Sequence, residues 1–323
     1  MPLIERSSYV PPRLFTNPHV QTIYPALLRQ TWGVRYSRER IATPDEDFLD
    51  LDWSFVGSKR LAILTHGLEG HSGHSYMLGM AKALNQQGIS ALAWNLRGCS
   101  GEPNRKQHFY NGGQTEDLAT VVSHVEDKFD EIYLVGFSLG GNLTLKYLGE
   151  QGKKLCPKIK SAVAFSVPVD FQSCATQVTA RQNWIYFRKF MRTIEQKISA
   201  KSARVKLPVS LDRLKSVTSF KELDDWFTAP LFGLQNAEQL WKQSSCLEYL
   251  DQIGVPTLMV TAQDDPMLGP SCYPTEIASE NPFLYLEMPQ YGGHVGFVAF
   301  NRKGEYWSEA RAIEFINAHR EAA

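Results

Sequence analysis

The chain has 323 residues, 43% hydrophobic and 21% charged, ordinary globular usage that can bury a large core without disulfide staples. Lys plus Arg and Asp plus Glu number 34 each, and the formal net charge of zero argues against a general nucleic-acid binder. The length alone suggests two domains at about 150 residues each, although α/β folds of this size are often one.

Residues 1 to about 35 hold PPRLFTNPHVQTIYPALLR and lack clean periodicity. They read as an arm with a short helix that docks elsewhere on the molecule. YSRERIAT and FLDLDWSFV then alternate like half-buried strands and predict a hairpin. LAILTH (61–66) is a buried strand entering the glycine-rich HGLEG. Residues 75–87 have helical spacing, with Gly88 as the stop. SALAWN (90–95) is a strand, 114–127 a helix, EIYLVGF (131–137) a strand, LGGNLTLKYLGEQ a helix and SAVAFSV (161–167) a strand. Such alternation predicts a mostly parallel sheet flanked by helices. It pauses over about 170–245, too long for a plain loop and helical in its own periodicity. We read this as a helical cap inserted into a single domain spanning 1–323, above the C-terminal ends of the strands. The alternation resumes with VPTLMVTA (255–262), FLYLEM (283–288) and a final helix near 304–319.

Five cysteines, Cys99, Cys156, Cys174, Cys246 and Cys272, show no C-x-x-C spacing, which fits free thiols in a reducing compartment. The N-terminus has Glu5, Arg6, Pro11 and Pro12 but no apolar h-region, so no signal peptide is expected. The weakly polar run at 161–169 is far too short to span a bilayer. A soluble cytoplasmic protein is the expectation.

Gly136-Phe137-Ser138-Leu139-Gly140 sits between a strand and a helix. There a sharp turn lifts the Ser138 hydroxyl above the sheet, and the glycines remove the crowding. The helix aims free N–H groups at developing negative charge. A hydroxyl needs a base, and His294, in Tyr291-Gly292-Gly293-His294-Val295-Gly296-Phe297, follows the last strand. The third member should follow VPTLMVTA, where Asp264 and Asp265 are neighbours. Adjacent side chains leaving a strand point opposite ways, so only one can face the histidine. Asp265, fixed by Pro266 and three residues past Ala262, is favoured. The oxyanion donors should be the N–H groups of Leu68 and Leu139. His66, His71 and His74 are crowded in one loop but lack the further ligands and spacing of a zinc site. Arg97-Gly98-Cys99-Ser100-Gly101 has no Walker lysine.

With these residues assembled, the chain resembles the α/β-hydrolase superfamily. More narrowly it resembles the YheT-like bacterial esterases, relatives of the animal ABHD acyl hydrolases. The resemblance rests on Asn17-Pro18-His19-Val20-Gln21-Thr22, HGLEG (66–70), NLRGCSG (95–101), FYNGGQTEDL (109–118), GFSLGGN (136–142), DDP (264–266) and GGHVGF (292–297). It implies that Ser138, Asp265 and His294 form the charge relay and that no cofactor takes part. The expected function is a serine hydrolase, a carboxylesterase for a small-molecule or lipid-like acyl ester. An acyltransferase or thioesterase with the same triad, a peptidase and a non-catalytic scaffold are the rivals.

Within the cap, Trp184, Phe187, Met191, Ile194 and Ile198 recur on one helical face, with Arg181, Arg188, Lys189 and Arg192 off it. Residues 171–220 hold ten Lys/Arg and two Asp/Glu, a local charge of +8. The segment is expected to be a lid packed on the core. A sharper reading has its basic face attract an anionic acyl substrate or touch a lipid surface peripherally.

Overall fold

The computed structural model describes residues 3–207 and 211–320. Among the described residues, nine strands form one sheet: β1 (Leu3–Ile4), β2 (Ser37–Ala42), β3 (Phe48–Ser54), β4 (Arg60–Thr65), β5 (Ser90–Asn95), β6 (Glu131–Phe137), β7 (Ile159–Phe165), β8 (Thr257–Val260) and β9 (Leu284–Glu287). Their order is β1-β9-β8-β7-β6-β4-β5-β3-β2. Every pairing is parallel except the two made by β3. The hairpin, the alternation and the mostly parallel sheet are therefore as the sequence implied.

The central strands are apolar on both faces because helices cover both. Leu61 and Ile63 of β4, Leu92 and Trp94 of β5 and Leu134 of β6 face one core, with Leu118 and Val121 of α3 (Glu116–Val125) and Leu143 and Leu148 of α4 (Leu139–Gln151). Their neighbours Ala62, Leu64, Ala93 and Val135 face the other, with Met77, Met80 and Leu84 of α2 (Ser75–Gln86) and Ile316 of the C-terminal helix. Period-two alternation thus sorts one strand into two cores.

The N-terminal arm reaches across the molecule. β1 extends the sheet beyond β9, pairing Leu3 with Leu286. Helix α1 (Pro18–Leu28) starts at Asn17, whose side chain accepts from the N–H groups of His19 and Val20. Between β7 and β8 the chain leaves the sheet as α5 (Phe171–Thr179), α6 (Trp184–Ser202), α7 (Leu211–Leu214), α8 (Phe220–Leu223), α9 (Ala229–Leu231) and α10 (Ala237–Ser244). A π-helical turn, Asp224–Thr228, joins α8 to α9. α11 (Thr275–Glu280) precedes β9. The last helix, α12 (Trp307–Ala318), starts three residues later than the sequence suggested. Gly304 takes a positive φ of 66°, and Glu309 accepts from the Tyr306 N–H to set the start.

The apolar stripe of α6 also needs a correction. Phe187, Met191 and Ile198 are buried, but Trp184 is 57% exposed. In the first turn Tyr186 is the buried residue instead, and its hydroxyl meets His19 Nδ1 of α1 at 2.9 Å. The helix packs on the arm there, which turns Trp184 outward.

Candidate active site

β6 delivers Ser138 at its C-terminal end, directly before α4. Its backbone is in a strained region for a non-glycine residue, φ 53° and ψ −122°. The turn closes tightly on both sides. A Cβ at Gly136 would lie 2.4 Å from the Gly140 carbonyl oxygen, and one at Gly140 would lie 2.3 Å from that of Thr65. Only glycine fits either position.

His294 lies in the loop after β9, and Asp265 in the loop after β8. His294 Nε2 is 2.8 Å from Ser138 Oγ. Its Nδ1 is 2.9 and 3.1 Å from the two Asp265 oxygens. The carboxylate is buried and also accepts from the Met267 N–H at 2.9 Å. This arrangement assigns the ring proton to Nδ1 and leaves Nε2 to accept from the serine. The neighbour Asp264 points elsewhere and accepts from the Gly293 N–H at 2.9 Å. Burial pushes its carboxyl up to about 6.

Leu68 and Leu139 border the same space as Ser138 and His294. The Gly67 N–H donates to Tyr76 and the Glu69 N–H to Tyr110, whereas among the described residues those of Leu68 and Leu139 have no acceptor. Two unused donors therefore flank the serine. The space is a cavity of about 180 Å³ with mainly apolar walls, including Phe109, Phe190, Ile194, Phe227 and Trp241. Its polar lining includes Glu69, which pairs with Lys197 of α6 at 2.7 Å and accepts from Tyr110 at 2.8 Å.

The other motifs have structural partners. His66 is fully buried; its Nδ1–H donates to Gly67 and its Nε2 accepts from the Leu96 N–H. Burial drives it down to about 3, so the ring is neutral. Among the described residues, no three His, Cys, Asp or Glu side chains are grouped to hold a metal ion. Arg97 is buried and binds Asp117 and Asp45, both at 2.7 Å. Sequence reasoning missed the contribution of the arm. Thr22 Oγ1 of α1 accepts from the His294 N–H at 2.9 Å, and the Asn17–Thr22 motif was its only signal.

Residues 63–298 match the family model for the alpha/beta hydrolase fold. The chain is 31% identical over 325 residues to YheT of Escherichia coli (strain K12), assigned as an esterase, covering 98% of this chain and 95% of that one. It is 30% identical to human phospholipase ABHD3, over 86% of this chain and 70% of that protein. It is 28% identical to a monoacylglycerol lipase of Saccharomyces cerevisiae, over 85% and 62%. The solved Pyrococcus furiosus esterase Pf2001 superposes with a TM-score of 0.61 at 18% identity, covering 92% of this chain and 97% of that one, a likeness of fold. The chain belongs to the α/β-hydrolase family. Within that family it is an ester hydrolase. Among the described residues, no helix is long and apolar enough to cross a membrane.

Proposed function

We propose that the chain is a serine carboxylesterase that works through an acyl-enzyme on Ser138. His294 takes the hydroxyl proton as Ser138 Oγ attacks the ester carbonyl. The N–H groups of Leu68 and Leu139 hold the oxyanion. Asp265 fixes the tautomer and stabilises the imidazolium without taking the proton. His294 then protonates the leaving alcohol, and water reverses the sequence. One observation carries this reading: the continuous bond path Ser138–His294–Asp265, at 2.8 and 2.9 Å, beside an apolar cavity.

The helices α5 to α10 act as the cap in this reading, since Phe190, Phe227 and Trp241 from them wall the cavity. The outer face of α6 meets an anionic acyl substrate or lipid. Trp184, Ile185, Arg188, Lys189 and Arg192 are exposed there, and none of those three cations has an ion-pair partner among the described residues. A reducing, cytoplasmic setting completes the reading and draws support from five unpaired cysteines. The test is fluorophosphonate labelling with a panel of esters of graded chain length. Wild type should label and turn over, and Ser138→Ala should do neither beyond a residual rate about 10³–10⁴ over water. Turnover at the wild-type rate in Ser138→Ala refutes the serine mechanism.

A further inference from the structure

The loop that carries His294 has little regular structure to hold it. Gly292, Gly293, Val295 and Phe297 all have positive φ, at 152°, 56°, 57° and 42°. For Val and Phe this is a costly backbone state that persists only when its surroundings impose it.

Side chains supply the constraint. The Gly293 N–H goes to Asp264 and the Val295 N–H to Ser166 Oγ at 2.9 Å. The two remaining anchors come from α1. The His294 N–H donates to Thr22 Oγ1 at 2.9 Å, and the Val298 N–H to Gln21 Oε1 at 3.0 Å. Thr22 Oγ1 in turn donates to the Pro18 carbonyl at 2.7 Å. Gln21 is fully buried, and its amide nitrogen donates to Tyr9 Oη at 2.6 Å and the Phe15 carbonyl at 2.7 Å. The Tyr9 hydroxyl donates to the Val298 carbonyl at 3.1 Å, so both polar groups of Val298 are clamped. Helix and loop are in direct backbone contact. A Cβ at Gly293 would lie 2.5 Å from the Pro18 carbonyl oxygen, and one at Gly296 would lie 2.4 Å from that of Gln21.

The chemistry of α1 is unusual for a packing helix. Its only buried side chains are Gln21 and Pro25, while Val20, Leu27 and Leu28 are exposed. Ile23 and Tyr24 add partly buried apolar contacts, but the two α1 side chains that reach the His294 loop, Gln21 and Thr22, are polar. We propose that α1 is a strut that holds the base in register with the nucleophile, with Thr22 and Gln21 as positioning residues. The inference rests on the serine-hydrolase reading above. Thr22 fixes the backbone of the histidine itself, so its loss should displace the ring from Ser138 while leaving the cavity unchanged. Displacements of about 1 Å are enough to cost on the order of 10²-fold in rate.

The test compares Thr22→Val, which is nearly isosteric but cannot bond, with Thr22→Ser, which can. Thr22→Val should lower kcat at least tenfold, with KM for a short neutral ester within twofold of wild type. Fluorophosphonate labelling should slow by the same factor, and Tm should move by only a few degrees. Thr22→Ser should restore kcat to within threefold. A kcat within twofold of wild type in Thr22→Val, or a loss that serine does not restore, overturns the strut. If the valine variant does not fold, Thr22→Ala is read by the same criteria. A Ser138→Ala control separates the two ideas. Turnover surviving in that control removes the serine mechanism, whereas an inactive control beside a wild-type-like Thr22→Val removes the strut alone.

Discussion

Exchanging Asp265 and, separately, its neighbour Asp264 for asparagine should have effects about a thousandfold apart. Asp265 has two obligations, accepting from the Met267 N–H and from His294 Nδ1. In Asp265→Asn the amide oxygen stays with Met267, so the amide NH₂ faces the ring. A donor facing Nδ1 forces the ring proton onto Nε2, where it points at Ser138 Oγ, and the base is lost. A wrong tautomer of this kind costs about 10⁴ in kcat, or about 5 kcal/mol of barrier. In Asp264→Asn the oxygen still accepts from the Gly293 N–H. The other position, Oδ2, is buried without a partner among the described residues, in a carboxyl that burial already disposes toward its neutral form. A neutral amide fits there, and the loss should stay below about tenfold. The assay is kcat on a chromogenic ester, normalised to folded protein by circular dichroism. Equal losses, or the reverse ranking, would show that the two carboxylates have been given the wrong roles.

Gly140→Ala should destabilise the fold by at least about 1–3 kcal/mol, because its Cβ meets backbone oxygens that cannot swing away; a wild-type urea midpoint would refute this. Neutralising Arg188, Lys189 and Arg192 together should raise KM for anionic esters severalfold while sparing neutral short-chain esters. Added salt should mimic the effect, and equal changes for both substrates would leave only the packing role of α6. Lys201 is buried against Asn104 and the His108 carbonyl, and burial pushes its amine down to about 7. Between about pH 7 and 10.5 the unfolded chain holds a proton that the folded one lacks, so this group makes stability rise with pH. Lys201→Met should remove up to about 1.4 kcal/mol per pH unit of that rise. Denaturation at pH 7.5 and 9.5 checks it, and an unchanged pH dependence refutes it.

The strands were legible because their apolar runs end abruptly. SALAWN is β5 and EIYLVGF is β6, residue for residue. β7 begins two residues earlier than SAVAFSV, at Ile159, because Ile159 is buried beside Ile132. Ser138, Asp265 and His294 could be named because each follows a strand end in a glycine- or proline-marked turn. The arm was opaque for a different reason. Gln21 and Thr22 are ordinary polar residues on a helix, and their partners lie 277 and 272 positions away. No local period records such a pairing. Trp184 was misplaced because helical spacing defines a stripe but not where that stripe stops touching the core.

The distance between the arm and its partners also has a consequence in time. The arm leaves the ribosome well before the 292–298 loop, since Thr22 and Gln21 precede the residues they anchor by 272 and 277 positions. At 5–20 residues per second that interval is on the order of half a minute. Until it has passed, β1 has no neighbour, Gln21 Oε1 lacks its Val298 donor, and Ser138 has no His294 beside it. In the serine-hydrolase reading proposed above, a nascent chain exposing this turn has no base beside it, and competence waits on one late, long-range closure rather than growing gradually during synthesis.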